Sequence, residues 1–228
     1  MTSTLPPVLS IAGSDSSGGA GIQADLKTML ANGVFGMTAI AALTAQNTTG
    51  VTMVTNTPVE MLAAQIDAVF DDIRPDAVKI GMVSSPDIVR AIADGLRRHH
   101  ACNIVVDPVM VATSGSALIA DAAVDALVAE LFPLADVVTP NIPEAEALAG
   151  MKIASADDVE RAAELIAERC IAAAETSPDM DATPRVPAIM VKGGHGVGAP
   201  DAADDYLRMA GGEHVWLRGR RVETANTH

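Results

Sequence analysis

Four short runs in this chain carry residue types and spacings suited to phosphoryl chemistry on a small molecule. The first, Leu9–Lys27, is an apolar stretch that breaks into a turn containing Gly18, Gly19 and Gly21 and then opens a helix. Glycines there lack the β-carbon that would keep a ligand from bare backbone, and they tolerate positive φ. The others are Ala45-Gln46-Asn47-Thr48, Thr139-Pro140-Asn141-Ile142-Pro143-Glu144 and Val191-Lys192-Gly193-Gly194-His195. Gln46 offers a donor and an acceptor on one carboxamide, which matches an exocyclic amine beside a ring nitrogen. Each residue also has a plainer reading. Gln46 could cap a strand end, Asp107 could cap the segment that follows its strand, Asp25 could be a favourable charge near a helix N-terminus, and Asn141 with Glu144 could be a helix cap with a first-turn acid. Lys192 could emerge into solvent. The glycine turn is not a P-loop: Gly13 and Gly18 have the right separation, but Gly19 stands where that motif needs lysine.

These residues need elements to place them. Residues 8–13 read as a buried strand, Gly19 to about Leu30 as a helix ended by Asn32-Gly33, and Gly36–Gln46 as a second strand. Thr57-Pro58-Val59-Glu60 predicts a capped helix start, with Val59, Leu62, Ile66, Val69, Phe70 and Ile73 on one face. A strand over Ala77–Met82, a helix opened by Ser85-Pro86-Asp87 and a strand over Asn103–Asp107 follow. Then come a helix from about Asp121 to Leu131, a strand at Val137–Thr139, helices over 143–149 and 156–173, and a strand over Ala188–Lys192. Residues 204–209, 214–217 and 220–224 read as an antiparallel meander turning at Gly211-Gly212. Alternating strands and helices imply a mostly parallel sheet covered on both faces, with ligands beyond the carboxyl ends of its strands. Gly13, Gln46, Met82, Asp107, Asn141 and Lys192 all fall at or just past such ends, so one active site in one domain over 1–228 is expected. Residues 175–187, rich in Pro, Asp, Ser and Thr, are expected to form a flexible insertion.

Composition narrows the function class. At 228 residues the chain can bury a large α/β core, and although 49% of it is apolar no run is long enough to span a bilayer. The formal charge of −14 and 2% aromatic content exclude a basic nucleic-acid surface and base-stacking platforms. The N-terminal residues lack a secretory pattern. Cys102 and Cys170 have no metal-like spacing and are expected to be reduced core thiols, which with the missing leader points to the cytoplasm.

The runs SIAGSDSSGGAGIQADLKT (10–28), ALTAQNTTGV (42–51), VKIGMV (78–83), VVDPVM (105–110), TPNIPEAEAL (139–148) and VKGGH (191–195) resemble, in order and spacing, the hydroxymethylpyrimidine/phosphomethylpyrimidine kinases of thiamin biosynthesis. That resemblance covers Val8 to His228 and implies a ribokinase-like three-layer αβα sandwich with a mostly parallel central sheet. It implies an enzyme using ATP and Mg²⁺ to phosphorylate 4-amino-5-hydroxymethyl-2-methylpyrimidine and then its monophosphate. By the same resemblance Gly13, Asp25, Gln46, Met82 and Val109 would bind the pyrimidine, Asn141 and Lys192 the nucleotide, and Asp107 and Glu144 the metal region. Such kinases are commonly dimers, so a homodimer is allowed. Family members continue after Asn226-Thr227-His228 with a Gly-Thr-Gly-Cys loop and closing helices, whose backbone amides and cysteine would supply the anion hole and the base. A chain that ended at His228 is expected to bind the pyrimidine but to transfer the phosphoryl group poorly; the favoured expectation is that the given sequence omits a C-terminal part carrying the catalytic residue and the closing helices. The rivals are a pyridoxine or pyridoxal kinase, a non-catalytic pyrimidine-binding module, and a kinase of another alcohol.

Overall fold

The computed structural model describes residues 5–110, 121–176, 186–193 and 201–222. Its contacts group into two compact units where a single domain is expected from the sequence. The first holds the described residues up to Val105, with Val109, Met110 and 121–127; the second holds Val106–Pro108 and the described residues from Val128 onward.

In the first unit β1 (Pro7–Gly13) lies between β2 (Phe35–Asn47) and β4 (Ala77–Ile80), parallel to both. A strand paired on both sides and covered on both faces has no solvent side, and so it reads as a continuous apolar run. Leu9, Ile11 and Ala12 have no accessible surface. Helix α1 (Gly21–Ala31) follows β1 and ends at Asn32, with Gly33 at φ +72°. Strand β3 (Gly50–Asn56) pairs antiparallel with β2. The sequence reading left this strand unassigned, although Asn47-Thr48-Thr49-Gly50 between β-branched runs is a hairpin signal.

Helix α2 (Val59–Asp72) buries Leu62, Ile66 and Phe70, whereas Val59 and Ile73 at its ends are exposed. Its expected Thr57 cap is corrected: Pro58 is the N-cap, and the Thr57 hydroxyl donates instead to the Ile40 carbonyl at 2.6 Å. The tertiary acceptor on β2 outcompetes the local one. Helix α3 (Pro86–Arg98) starts as expected, with the Ser85 hydroxyl accepting from the Ile88 amide, Pro86 in the first turn and Arg97 and Arg98 in the last. The preceding turn leads through His100 and Asn103, both at positive φ, to β5 (Ile104–Val106). Cys102 sits exposed in that turn, so the expectation of two core thiols holds only for Cys170.

In the second unit β6 (Val137–Val138) and β7 (Ala188–Val191) are parallel, and β8 (Asp205–Arg208) and β9 (His214–Leu217) continue antiparallel. The third meander strand expected at 220–224 is reduced to one bridge between Ala202 and Arg220, and residues 223 and 224 lie outside the described residues. The helix expected over 121–131 keeps α-geometry only as α4 (Asp121–Ala126) and widens to a π-turn over Leu127–Leu131. Pro133, which lacks an N–H and clashes with a preceding carbonyl, accounts for the change. Helices α5 (Ile142–Ala149) and α6 (Ala156–Thr176) complete the unit. Helix α6 therefore reaches into the expected insertion, whose residues 177–185 lie outside the described ones. Among the described residues no helix is long and apolar enough to cross a membrane.

Candidate active site

Because β1, β2 and β4 run parallel, their carboxyl ends share one edge of the first unit. Gly13 is the last residue of β1, Gln46 is one residue from the end of β2, and Met82 lies two residues past β4. A β-carbon on Gly13 would run into the Met82 Cε methyl, and one on Gly21 into the Gly13 carbonyl. Gly18 and Gly21 have φ of +81° and +56°, so both need glycine; Gly19, expected to share this freedom, does not have positive φ.

The turn is held by a residue the sequence reading passed over. Asp15, 1% exposed, accepts the Ser17 amide and hydroxyl on Oδ1, each at 2.8 Å. Its Oδ2 accepts the Gly19 and Ala20 amides at 2.9 and 2.8 Å. Burial alone would raise the pKa of this carboxyl, but the hydrogen bonds from Ser17, Ala20 and Gly19 outweigh it and hold the group below its ordinary 3.8. The turn also zips onto β2. The Ser14 amide donates to the Ala42 carbonyl and the Thr44 hydroxyl to the Ser14 carbonyl, both at 2.8 Å. The Ser16 hydroxyl donates to the Gln46 carbonyl at 2.7 Å and accepts the Gln46 amide at 2.9 Å.

Asp25, on α1, is engaged within its own unit. Its carboxylate accepts from the Ser10 hydroxyl at 2.6 Å and from Lys79 Nζ at 3.0 and 3.1 Å, tying α1 to β1 and β4. Lys79 is a second partner that the sequence reading missed. Its position on a short strand could not reveal a contact 54 residues away. Val109 is half-buried just after β5 and belongs to the first unit.

The second unit gathers the charged candidates in the same way. Lys192 follows β7 and bridges Asn141 just past β6, its amide donating to the Pro140 carbonyl at 2.8 Å. Its ammonium donates to Asp107 Oδ1 at 2.7 Å, and the Thr139 hydroxyl reaches the same oxygen at 3.3 Å. Lys192 is thus not a lysine merely trailing into solvent. Asn141 and Glu144 form a reciprocal capping box: the Asn141 side chain accepts the Glu144 amide at 3.0 Å, and Glu144 Oε2 accepts the Asn141 amide at 2.8 Å. Glu144 is only 4% exposed. Gly193 is fixed by packing, since a β-carbon there would run into the Asp204 carbonyl. Gly194, His195 and Asn226–His228 lie outside the described residues.

Among the described residues no group of three or more His, Cys, Asp or Glu side chains is set to hold a metal by itself. Neither cysteine sits with these clusters. Burial pushes the Cys170 thiol up to about 12, so it is not a base at neutral pH.

A family model described as Phosphomethylpyrimidine kinase matches residues 15–228. A hydroxymethylpyrimidine/phosphomethylpyrimidine kinase of Rhizobium meliloti is 51% identical over 96% of this chain and 76% of its own length. Among solved structures, phosphomethylpyrimidine kinase from Clostridium difficile 630 superposes with a TM-score of 0.79 at 44% identity, covering 95% of this chain and 85% of that one. An ADP complex of Bacillus subtilis pyridoxal kinase gives a TM-score of 0.79 at 32% identity, covering 97% of this chain and 77% of that one. The fold class is theirs: a ribokinase-like α/β fold with a mostly parallel sheet and helices on both sides.

Proposed function

This chain belongs to the phosphomethylpyrimidine kinase family, and from that premise we propose that it transfers the γ-phosphoryl group of ATP to 4-amino-5-hydroxymethyl-2-methylpyrimidine and to its monophosphate, as a cytoplasmic enzyme of thiamin biosynthesis. The observation that carries the acceptor assignment is Gln46. It is held at the carboxyl end of β2, zipped to a glycine turn whose backbone a small ring could approach. Its carboxamide would pair with the exocyclic amine and ring nitrogen, with Gly13, Met82 and Val109 lining the ring and Asp25 steadying α1. The nucleotide would be held by the second unit's cluster, without nucleic acid or membrane as partner.

Asp107 and Glu144 would offer two hard carboxylates and the nucleotide the remaining ligands, a set suited to Mg²⁺ arriving with phosphates rather than to a resident metal centre. When bound, the ion neutralises phosphate charge. Within the chain, incoming phosphates compete with Asp107 for the Lys192 ammonium, and that exchange places a cation on the group in transfer. Asn141 keeps the start of α5 rigid beside it. Catalysis by such parts is positioning and electrostatics, with little covalent work for the protein.

The second reading, pyridoxal kinase, is favoured by the likeness to the Bacillus subtilis enzyme. Parallel kinetics on the aminopyrimidine alcohol and pyridoxal separate the two. Gln46→Met is expected to lower kcat/KM for the aminopyrimidine about 30-fold, through loss of paired hydrogen bonds, and to leave pyridoxal within about twofold. Pyridoxal preferred by the unaltered chain would overturn the first reading.

A homodimer is part of the same proposal, and the β2–β3 hairpin supports it. The register pairs Leu43 with Thr55 and Ala45 with Met53, so these four share one face. Leu43 is 56% and Met53 66% exposed. No charged side chain lies between Lys27 and Glu60 in a chain of net charge −14, so two copies could meet there with little repulsion. Met53→Asp is expected to shift sedimentation from dimer to monomer with little change in melting temperature. A monomeric unaltered chain would refute the dimer.

A further inference from the structure

Gln46 stands at a break in its own ladder. The β2–β3 register slips between Ala45, opposite Met53, and Gln46, opposite Val51, so Thr52 is the extra residue of a bulge. The Thr52 hydroxyl turns in to donate to the Ala45 carbonyl at 3.0 Å. A bulge re-aims side chains and leaves local pairing irregular; on the carboxamide itself the Thr44 hydroxyl of β2 donates to Gln46 Oε1 at 3.2 Å. The glycine turn supplies what the ladder lacks. Ser16 closes a two-way clasp on the Gln46 backbone through one hydroxyl, which donates to the carbonyl and accepts the amide. The clasp itself is anchored on either side. Asp15 is locked by its carboxylate bonds to Ser17, Gly19 and Ala20, and its amide donates to Gln23 Oε1 at 2.8 Å.

We propose that Ser16 is a positioning residue that aims the Gln46 carboxamide and so sets recognition of the acceptor ring. This rests on the reading of Gln46 as the pyrimidine contact. Ser16 need not touch the ring. It fixes the backbone from which Gln46 projects, coupling the turn to the specificity residue. Because Ser16 is exposed, removing its hydroxyl deletes no core packing.

Calorimetry on the whole chain tests the coupling, with 4-amino-5-hydroxymethyl-2-methylpyrimidine and, separately, a non-hydrolysable ATP analogue as probes. Ser16→Ala is expected to weaken pyrimidine binding about tenfold, the scale of one to two net hydrogen bonds, and to leave nucleotide affinity and melting temperature unchanged. Ser16→Thr, which keeps the hydroxyl, should restore binding to within about threefold. In a Gln46→Ala background Ser16→Ala should add nothing, since there is no longer a carboxamide to aim. Wild-type affinity in Ser16→Ala beside a weakened Gln46→Ala overturns the proposal, and so does a loss that persists undiminished in the double variant. A fall in melting temperature together with lost nucleotide affinity would make Ser16 merely structural and overturn it too. If Gln46→Ala itself binds normally, the acceptor reading fails first and the Ser16 proposal falls with it.

Discussion

Lys192→Met is expected to lower pyrimidine-dependent ADP formation, as kcat/KM, by about 10²- to 10³-fold, the range seen when a single preorganised donor to a developing anion is removed. Methionine keeps an unbranched apolar stem like that of lysine and deletes the ammonium with its charge and donors. In the ligand-free protein that charge rests on Asp107, 2.7 Å away, with both side chains about a quarter to a third exposed (23% and 35%). The pair therefore contributes little to folding, because solvent screens it and hydrates either partner alone. Stability of the variant should match the unaltered chain, and aminopyrimidine affinity, assigned to the first unit, should not change. Lys192→Arg should recover part of the activity, since guanidinium keeps the charge but not its compact geometry. Turnover of Lys192→Met within threefold of the unaltered chain would remove this lysine from the phosphoryl-transfer machinery.

The second large effect belongs to Asp15. Its carboxylate is almost inaccessible and takes four hydrogen bonds, three of them from backbone amides of the glycine turn. Asp15→Ala strands those donors, and a loss of about 3 kcal/mol in denaturant unfolding is expected from charge-assisted bonds of this kind. Asp15→Asn is not a mild substitute: its amide nitrogen would face N–H donors on one side of the carboxyl. The pH dependence carries a definite sign. Because the native group sits below its ordinary 3.8, its contribution is complete above that value and is lost as pH falls through the lower native one. The stability gap between the unaltered chain and Asp15→Ala should accordingly narrow on acidification below 3.8 and stay constant above it. A gap that does not change with acid would mean that the carboxylate charge is not what holds the turn.

How far the site could be read in advance differed between where its residues stand and what they pair with. The strand ends were legible because buried parallel strands read as apolar runs and the chemistry begins where the run stops: Gly13, Gln46, Asp107, Asn141 and Lys192 each mark such a stop. The plainer meanings of some of these residues were legible as well. Asn141 and Glu144 do form a helix cap, and that role does not compete with a nearby phosphate. The partners of each candidate were not legible. Asp107 and Lys192 are 85 residues apart and Asp25 and Lys79 are 54 apart, and no local pattern encodes such pairings. Thr57 fits every local rule for a helix cap, yet a carbonyl on a neighbouring strand takes its hydroxyl.

The sequence by itself determined the order of elements apart from β3 and the end of the meander, the carboxyl-end placement of the polar candidates and the family, because periodicity, caps and glycine positions are local properties and six spaced motifs are shared only by descent. Tertiary structure alone decided which distant groups the site residues meet when no ligand is present. It set Asp15 as the keystone of the glycine turn, Ser16 as a clasp on β2 opposite the β3 bulge, and Lys192 as the counter-ion of Asp107. Hydrogen bonds and ion pairs act over about 3 Å, and only the packing of strands and helices brings distant positions that close.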